Sequence, residues 1–306
     1  MSVEVHRVGP EAADDVLEVV HAAFRARRPL DPPADALAET ADTLRVALAA
    51  HGGLVARLDG DAVGALVLDP ADDTLVLRRV GVVPAVQQHG VATALVVAAL
   101  DAAVGHRRLA VTAREELPAT IRFWQRHGFT RVGDHPPYVR LERPGTTAYD
   151  VPGADDMRDL GRRLAADLRA GDLVVLSGGL GAGKTTFTQG LGDGLGVRGD
   201  ITSPTFVIAR VHPSLVDGPA LVHADAYRLG GISELDDLDL DASLDDAVTV
   251  VEWGAGLAEG LAESRLEIRI DRATGAAADP ESGLDPRRVL VAPVGPRWLA
   301  AVAVAG

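Results

Sequence analysis

The run Gly178-Gly179-Leu180-Gly181-Ala182-Gly183-Lys184-Thr185 holds the residue types that a chain of phosphates requires. Glycines let successive backbone N–H groups converge on anionic oxygens without interference from Cβ. Lys184 supplies a compact cation that reaches β- and γ-phosphates, where arginine's wide planar fork does not fit the loop. Thr185 offers a hydroxyl to Mg²⁺. The apolar run Leu173–Leu176 predicts a buried strand before the loop, and Thr186–Leu195, stopped by Gly196, predicts a helix after it. G-x-x-x-x-G-K-[ST] between a strand and a helix is a P-loop. Lys184 is also the only lysine of the chain, which has no asparagine; codons for both begin with two adenines, as a GC-rich genome would disfavour. The lysine stands where a point charge is needed. With no Asn and no second Lys, the Asn-Lys-x-Asp element that usually reads guanine is missing, which favours ATP.

Three later segments add acids and aromatics. Ser203-Pro204-Thr205-Phe206 precedes an expected strand Val207–Val211; His223-Ala224-Asp225-Ala226-Tyr227-Arg228 ends a strand that starts at Leu221; Val248–Trp253 ends in Glu252-Trp253. An acid at the C-terminal end of a parallel strand beside a P-loop is a natural partner for Mg²⁺ or water. GLGAGKTTF, SPTF, H-x-D-x-YR and VEW, in this order, resemble the TsaE (YjeE) family, the bacterial ATPase subunit of tRNA threonylcarbamoyladenosine synthesis, over about residues 147–300. The resemblance implies that Gly181, Ala182, Gly183, Lys184, Thr185 and Thr186 bind ATP, and that Thr185 and Glu252 hold Mg²⁺. It implies Lys184, Asp225 and Glu252 as the catalytic set, with Asp225 near the γ-phosphate. It further implies a sensing role for Ser203–Phe206, a place for Trp253 near the nucleotide, and partner subunits of a threonylcarbamoyl-transferase complex that hold the tRNA. Glu234–Asp246 contains seven acids with leucines between them, an acidic face open to solvent or to a basic partner.

A second set of residues lies upstream. Gln87-Gln88-His89-Gly90-Val91-Ala92 follows a β-branched run that Pro84 stops, and small residues there let N–H groups face outward at a helix N-terminus, the geometry that cradles a pyrophosphate. With VGVVP before it and Phe123-Trp124-Gln125-Arg126-His127-Gly128-Phe129 after it, the segment resembles the GNAT family of acetyl-CoA-dependent N-acetyltransferases over about residues 3–142. The resemblance implies that Val82 pairs by its backbone with the pantetheine arm, and that amides from Gln88 through Gly90 to Ala92 hold the phosphates. Trp124 stands where many members have a tyrosine as general acid; Glu115 and Glu116 are candidate bases. The acetyl acceptor stays open.

The elements that must position these residues divide in two. A length of 306 residues suits about two domains. The best boundary, Pro144–Thr147, separates residues 1–145 (16 basic, 19 acidic) from residues 146–306 (14 basic, 25 acidic). The expected fold is α/β: a GNAT-like mixed α+β domain over 1–145, then a P-loop NTPase domain with a mainly parallel sheet over 146–306. Ala12–Arg27 and the stretch from Val91 to Gly105 read as helices, Gly53–Leu58 and Ala62–Asp69 as a hairpin about Asp59-Gly60. Segment 274–286 reads as a loop. No cysteine excludes disulfides and thiolate sites, and a net charge of −14 argues against direct nucleic-acid or anionic-membrane binding, so tRNA is expected only indirectly. The longest apolar stretch, Val91–Leu100, is too short for a membrane span, and the start has no signal-peptide core, so a cytoplasmic protein is expected. Two other readings fit the motifs: a nucleotide-switch scaffold with a catalytically dead acetyl-CoA-binding domain, or a P-loop small-molecule kinase.

Overall fold

The computed structural model describes residues 3–204, 208–229, 231, 234–235, 244–272 and 285–304. The chain divides into two compact units, Met1–Thr146 and Thr147–Gly306.

The first unit runs β1 (Val3–Val8), α1 (Ala13–Arg25), α2 (Ala41–His51), β2 (Gly53–Leu58), β3 (Asp61–Ala71), β4 (Thr74–Val82), α3 (Val91–Ala102), β5 (Arg108–Arg114), α4 (Pro118–Arg126), β6 (Thr130–His135) and β7 (Tyr138–Pro144). Its sheet has the order β1-β2-β3-β4-β5-β7-β6. The β2–β3 hairpin turns on Asp59 and Gly60, both at positive φ, as a tight two-residue loop requires. Val16, Val19 and Val20 of α1 pack with Leu44 and Leu48 of α2 on one face. Val91, Leu95 and Ala99 of α3 cover the other. Helix α2 has no clear announcement in the sequence. Its capping box pairs Thr40 with Thr43, the Thr43 N–H donating to Thr40 Oγ1 at 3.2 Å, and it lacks the Glu or Gln that marks such a box in sequence.

One irregularity shapes this unit. β4 and β5 pair in parallel only from Thr74–Val76 to Arg108–Ala110, although β4 continues to Val82 and β5 to Arg114. Where they part, the β3–β4 register shifts, and Arg79 takes a φ of 56°. A bulge of this kind bends a strand away from its neighbour.

The second unit runs β8 (Thr147–Val151), α5 (Ala154–Ala165), β9 (Leu173–Gly178), α6 (Lys184–Leu195), β10 (Ala209–His212), β11 (Ala220–Asp225), β12 (Ala247–Glu252), β13 (Arg265–Arg272), β14 (Arg287–Val294) and α7 (Pro296–Val304). Its order is β10-β11-β12-β9-β13-β14-β8, with β11, β12, β9 and β13 parallel. The mixed first unit and the mainly parallel second sheet match the expected fold class. Thr205, Phe206, Val207, the acids Asp236, Asp237, Asp239 and Asp241, and residues 273–284 of the expected loop lie outside the described residues.

Helix α6 carries Gly190, Gly192 and Gly194, each a poor helix former. The reason at Gly190 is proximity to α5: a Cβ there would lie 1.9 Å from the Arg158 carbonyl oxygen. Gly190→Ala is therefore expected to lower unfolding stability by about 1–3 kcal/mol through overpacking, although Ala is intrinsically the better helix residue by about 1 kcal/mol. A urea midpoint at or above that of the parent chain would show that the two helices part freely.

Candidate functional sites

β9 leads straight into the glycine loop. Gly178, Gly181 and Gly183 all take positive φ, and a Cβ on Gly178 would lie 2.5 Å from the Ile270 carbonyl oxygen of β13. Such a loop admits glycine by conformation and by space together. Gly183 caps α6, so the first-turn amides of the helix face the loop, where its dipole favours an anion. Lys184 is 5% exposed and folds back over its own loop: Nζ donates to the carbonyl oxygens of Gly178 at 2.9 Å and Gly179 at 3.0 Å, and sits 3.7 Å from the Trp253 ring centroid. Burial pushes the Lys184 ammonium below its ordinary range, against an upward pull from the carboxylates of Glu252 and Asp225. Trp253 itself takes a φ of 59°, strained for a bulky side chain, while its N–H donates to the Leu176 carbonyl at 2.9 Å.

The two acids end adjacent strands. Asp225 closes β11, Glu252 closes β12, and the two are partners in the ladder. Thr185 Oγ1 donates to Glu252 Oε1 at 2.8 Å. The fully buried His223 places Nε2 2.9 Å from the same oxygen. A carboxylate only accepts, so Nε2 is the nitrogen that donates. Ser203 Oγ donates to Asp225 Oδ2 at 2.9 Å, and the Tyr227 N–H to Oδ1 at 2.9 Å. A hydroxyl and a carboxylate side by side are hard oxygen donors that suit Mg²⁺, which keeps several waters and takes further ligands from phosphate. From β14, Arg287 braces the loop, with Nε donating to the Ala182 carbonyl at 2.9 Å.

In the first unit the parted strands β4 and β5 open a cavity of about 900 Å³, lined by Val82, Gln87, Ala92 and Trp124 among others. Gln88 and Gly90 take φ of 72° and 76°, and Gly90 caps α3, so N–H groups of the turn face outward at the helix start. Strand edges without a ladder partner plus an amide-rich turn form a cradle that fits a pantetheine arm and its pyrophosphate. Trp124 is 3% exposed and packs edge-on against Phe129 at 5.0 Å between centroids. Arg114 holds the Glu116 carboxyl down at about 2, too weak a base for neutral pH, and Glu115 is paired with Arg131 at 2.9 Å.

Comparison with known proteins follows the same division. The family model described as threonylcarbamoyl adenosine biosynthesis protein TsaE matches residues 151–278. The tRNA threonylcarbamoyladenosine biosynthesis protein TsaE of Streptomyces coelicolor is 67% identical over 146 residues, 47% of this chain and 95% of that protein. The chain belongs to the TsaE family. The namesake of Mycobacterium bovis is 50% identical over 143 residues, 44% of this chain and 85% of the relative. The acetyltransferase (GNAT) family model matches residues 14–129, upstream of the TsaE unit. A solved PaiA N-acetyltransferase of Thermoplasma acidophilum with coenzyme A is 14% identical, covering 47% of this chain and 99% of that one at a TM-score of 0.43. The TsaE unit is thus fused to a GNAT-family domain.

Of the residues named from the sequence, the TsaE unit brings Lys184, Thr185, Glu252 and Trp253 together, with Asp225 beside Glu252 in the ladder. Thr186 lies in the first turn of α6. Sequence reasoning names His223 within the H-x-D-x-YR motif without giving it a role, and misses Arg287 as part of this site. A signal for His223 is present, because it shares a strand face with Asp225 two residues on. Arg287 lies more than a hundred residues from the loop it braces, and nothing local marks it.

Proposed function

We propose that the TsaE unit hydrolyses ATP in a Mg²⁺-dependent way, in the synthesis of threonylcarbamoyladenosine on tRNA. The observation that carries this reading is the Thr185–Glu252 pair at 2.8 Å beside the glycine loop and its single lysine. Gly181, Ala182, Gly183 and Thr186 would hold the phosphates through backbone and side-chain donors, and Lys184 would turn from its own carbonyls to the β- and γ-phosphates. Thr185 and Glu252 would hold Mg²⁺, whose bound charge neutralises phosphate oxygens. Asp225, already fixed by Ser203 and the Tyr227 amide, would orient the attacking water. The work is positioning and charge neutralisation, with no covalent intermediate on the protein.

The acidic second unit suits protein partners, the subunits of a threonylcarbamoyl-transferase complex, and keeps tRNA contact indirect. Among the described residues no helix is long and apolar enough to cross a membrane. A role in tRNA modification suits a cytoplasmic protein. The test is product analysis with Mg²⁺ and ATP: free inorganic phosphate is expected, and a phosphorylated acceptor in its place would establish a kinase. Recovery of threonylcarbamoyl-transfer subunits with the tagged chain tests the assignment to the pathway.

For the first unit the reading is N-acetyl transfer from acetyl-CoA. Val82 and the amides of Gln88, Gly90 and Ala92 would hold the cofactor, which supplies the activated acetyl thioester. With Trp124 offering no acidic proton, the thiolate would leave unassisted; at a pKa of about 8.5 for a thiol this slows the step without forbidding it. Trp124 also favours a second reading, a cofactor-binding switch without turnover. Calorimetry with acetyl-CoA tests binding, and thiol release in the presence of amines separates the two.

A further inference from the structure

The cavity between β4 and β5 carries four arginines on its walls. Three are already paired: Arg78 with Asp69 at 2.9 Å, Arg79 with Glu39 at 2.6 Å, and Arg114 with Glu116 at 2.7 Å. Arg27, two residues beyond α1, has no carboxylate partner among the described residues. Its guanidinium lies 3.7 Å above the Phe24 ring centroid, and its one hydrogen bond beyond its own helix is a long one, 3.4 Å, from NH2 to the Val80 carbonyl of β4. Desolvation holds this cation below the usual arginine range. A half-buried guanidinium with most of its donors unspent is costly unless something completes it. Arg27 reaches the Val80 carbonyl of β4, whereas the amides that suit a phosphate are those of the Gln88–Gly90 turn at the start of α3. Asp35 lines the same cavity and has no cation partner among the described residues.

We infer that the acetyl acceptor is an amino acid, a primary amine that carries a carboxylate, with Arg27 as the carboxylate's fork and Asp35 as the complement to its ammonium. The inference rests on the acetyl-transfer reading of this unit. Guanidinium and carboxylate match as planar, two-point partners, and partial desolvation strengthens the pairing. The ammonium first gives one proton to water; the amine then attacks the thioester carbonyl, the N–C bond forms, the C–S bond breaks, and the second proton lost from nitrogen ends on the thiolate. The products are an N-acetyl amino acid and free CoA.

The test uses the full chain, acetyl-CoA, and each proteinogenic amino acid set against its own amide, which keeps the amine and loses the carboxylate; released thiol is measured. At least one acid is expected to exceed its amide in kcat/KM by about tenfold or more, as a charged hydrogen-bonded contact implies. Arg27→Gln is expected to remove that preference, mainly through KM for the acid, with the amide's rate and the affinity for acetyl-CoA unchanged. Arg27→Lys, which keeps the charge and loses the fork, should fall between. The unchanged amide rate and acetyl-CoA affinity serve as the control for folding. Three results would overturn the inference: amides used as well as acids, no acid used by a chain that acetylates other amines, or a loss of acetyl-CoA affinity in Arg27→Gln, which would make Arg27 a cofactor ligand. No binding of acetyl-CoA by the parent chain, or binding with no thiol released in the presence of any amine, would instead strike the acetyl-transfer reading itself.

Discussion

Lys184→Ala is expected to lower ATP turnover by about 10²–10³-fold, the usual loss when one preorganised donor to developing charge is removed. Lys184 is the one lysine of the chain, and in the structure it is the cation enclosed by the glycine loop, tethered to Gly178 and Gly179 and stacked on Trp253. No neighbouring lysine can substitute. The change also leaves two loop carbonyls without their donor, at a cost of about 1–3 kcal/mol if water does not replace it. An unfolding midpoint must therefore be measured beside the rate. Lys184→Arg separates charge from shape: it keeps the cation, but the planar fork does not fit the loop, and turnover should stay low. Wild-type turnover in a folded Lys184→Ala chain would remove the P-loop from the mechanism.

Glu252→Gln should divide binding from chemistry. The amide nearly preserves the shape of the carboxylate but loses its charge, and Mg²⁺ binds neutral oxygens more weakly. Turnover is expected to fall by about 10²-fold, with nucleotide affinity measured without the metal changed little. The rate should recover in part at raised Mg²⁺ concentration. Equal loss of affinity and turnover, with no response to Mg²⁺, would move Glu252 out of the metal role. Glu252→Ala is a harsher change. It strands the Nε2–H of His223, which is fully buried, and so should cost about 1–3 kcal/mol of stability that the glutamine variant largely spares. The pair of variants thus distinguishes the work of the charge from the support of the histidine.

Much of the proposed nucleotide site is legible in the amino-acid sequence, because its parts are local. A P-loop is a strand, a turn and a helix in direct succession, and its glycines, Lys184 and Thr185 act within one short stretch of chain. Asp225 and Glu252 are legible for a related reason: each ends a buried apolar strand, and parallel strands that share an end bring such residues to one edge. The outward-facing amide turn of the first unit, proposed to hold a pyrophosphate, is readable in the same way, from Gln87 to Ala92 at the start of α3. Composition alone separates a nearly neutral first half from a strongly acidic second one.

Contacts between distant segments were decided by the tertiary structure. His223 meets Glu252 only because β11 lies beside β12, and Arg287 meets the P-loop across more than a hundred residues of chain. The widening between β4 and β5 depends on a register shift near Arg79 that no local pattern announces. That Arg27 has no carboxylate partner among the described residues depends on which acids its neighbours have already taken, a property of the whole cavity wall. Sequence by itself determined the chemistry that a contiguous loop or a strand end can carry, since neighbours along a chain are neighbours in space. Tertiary structure decided which side chains complete, brace or leave unmatched that chemistry, since burial and pairing belong to packing between segments.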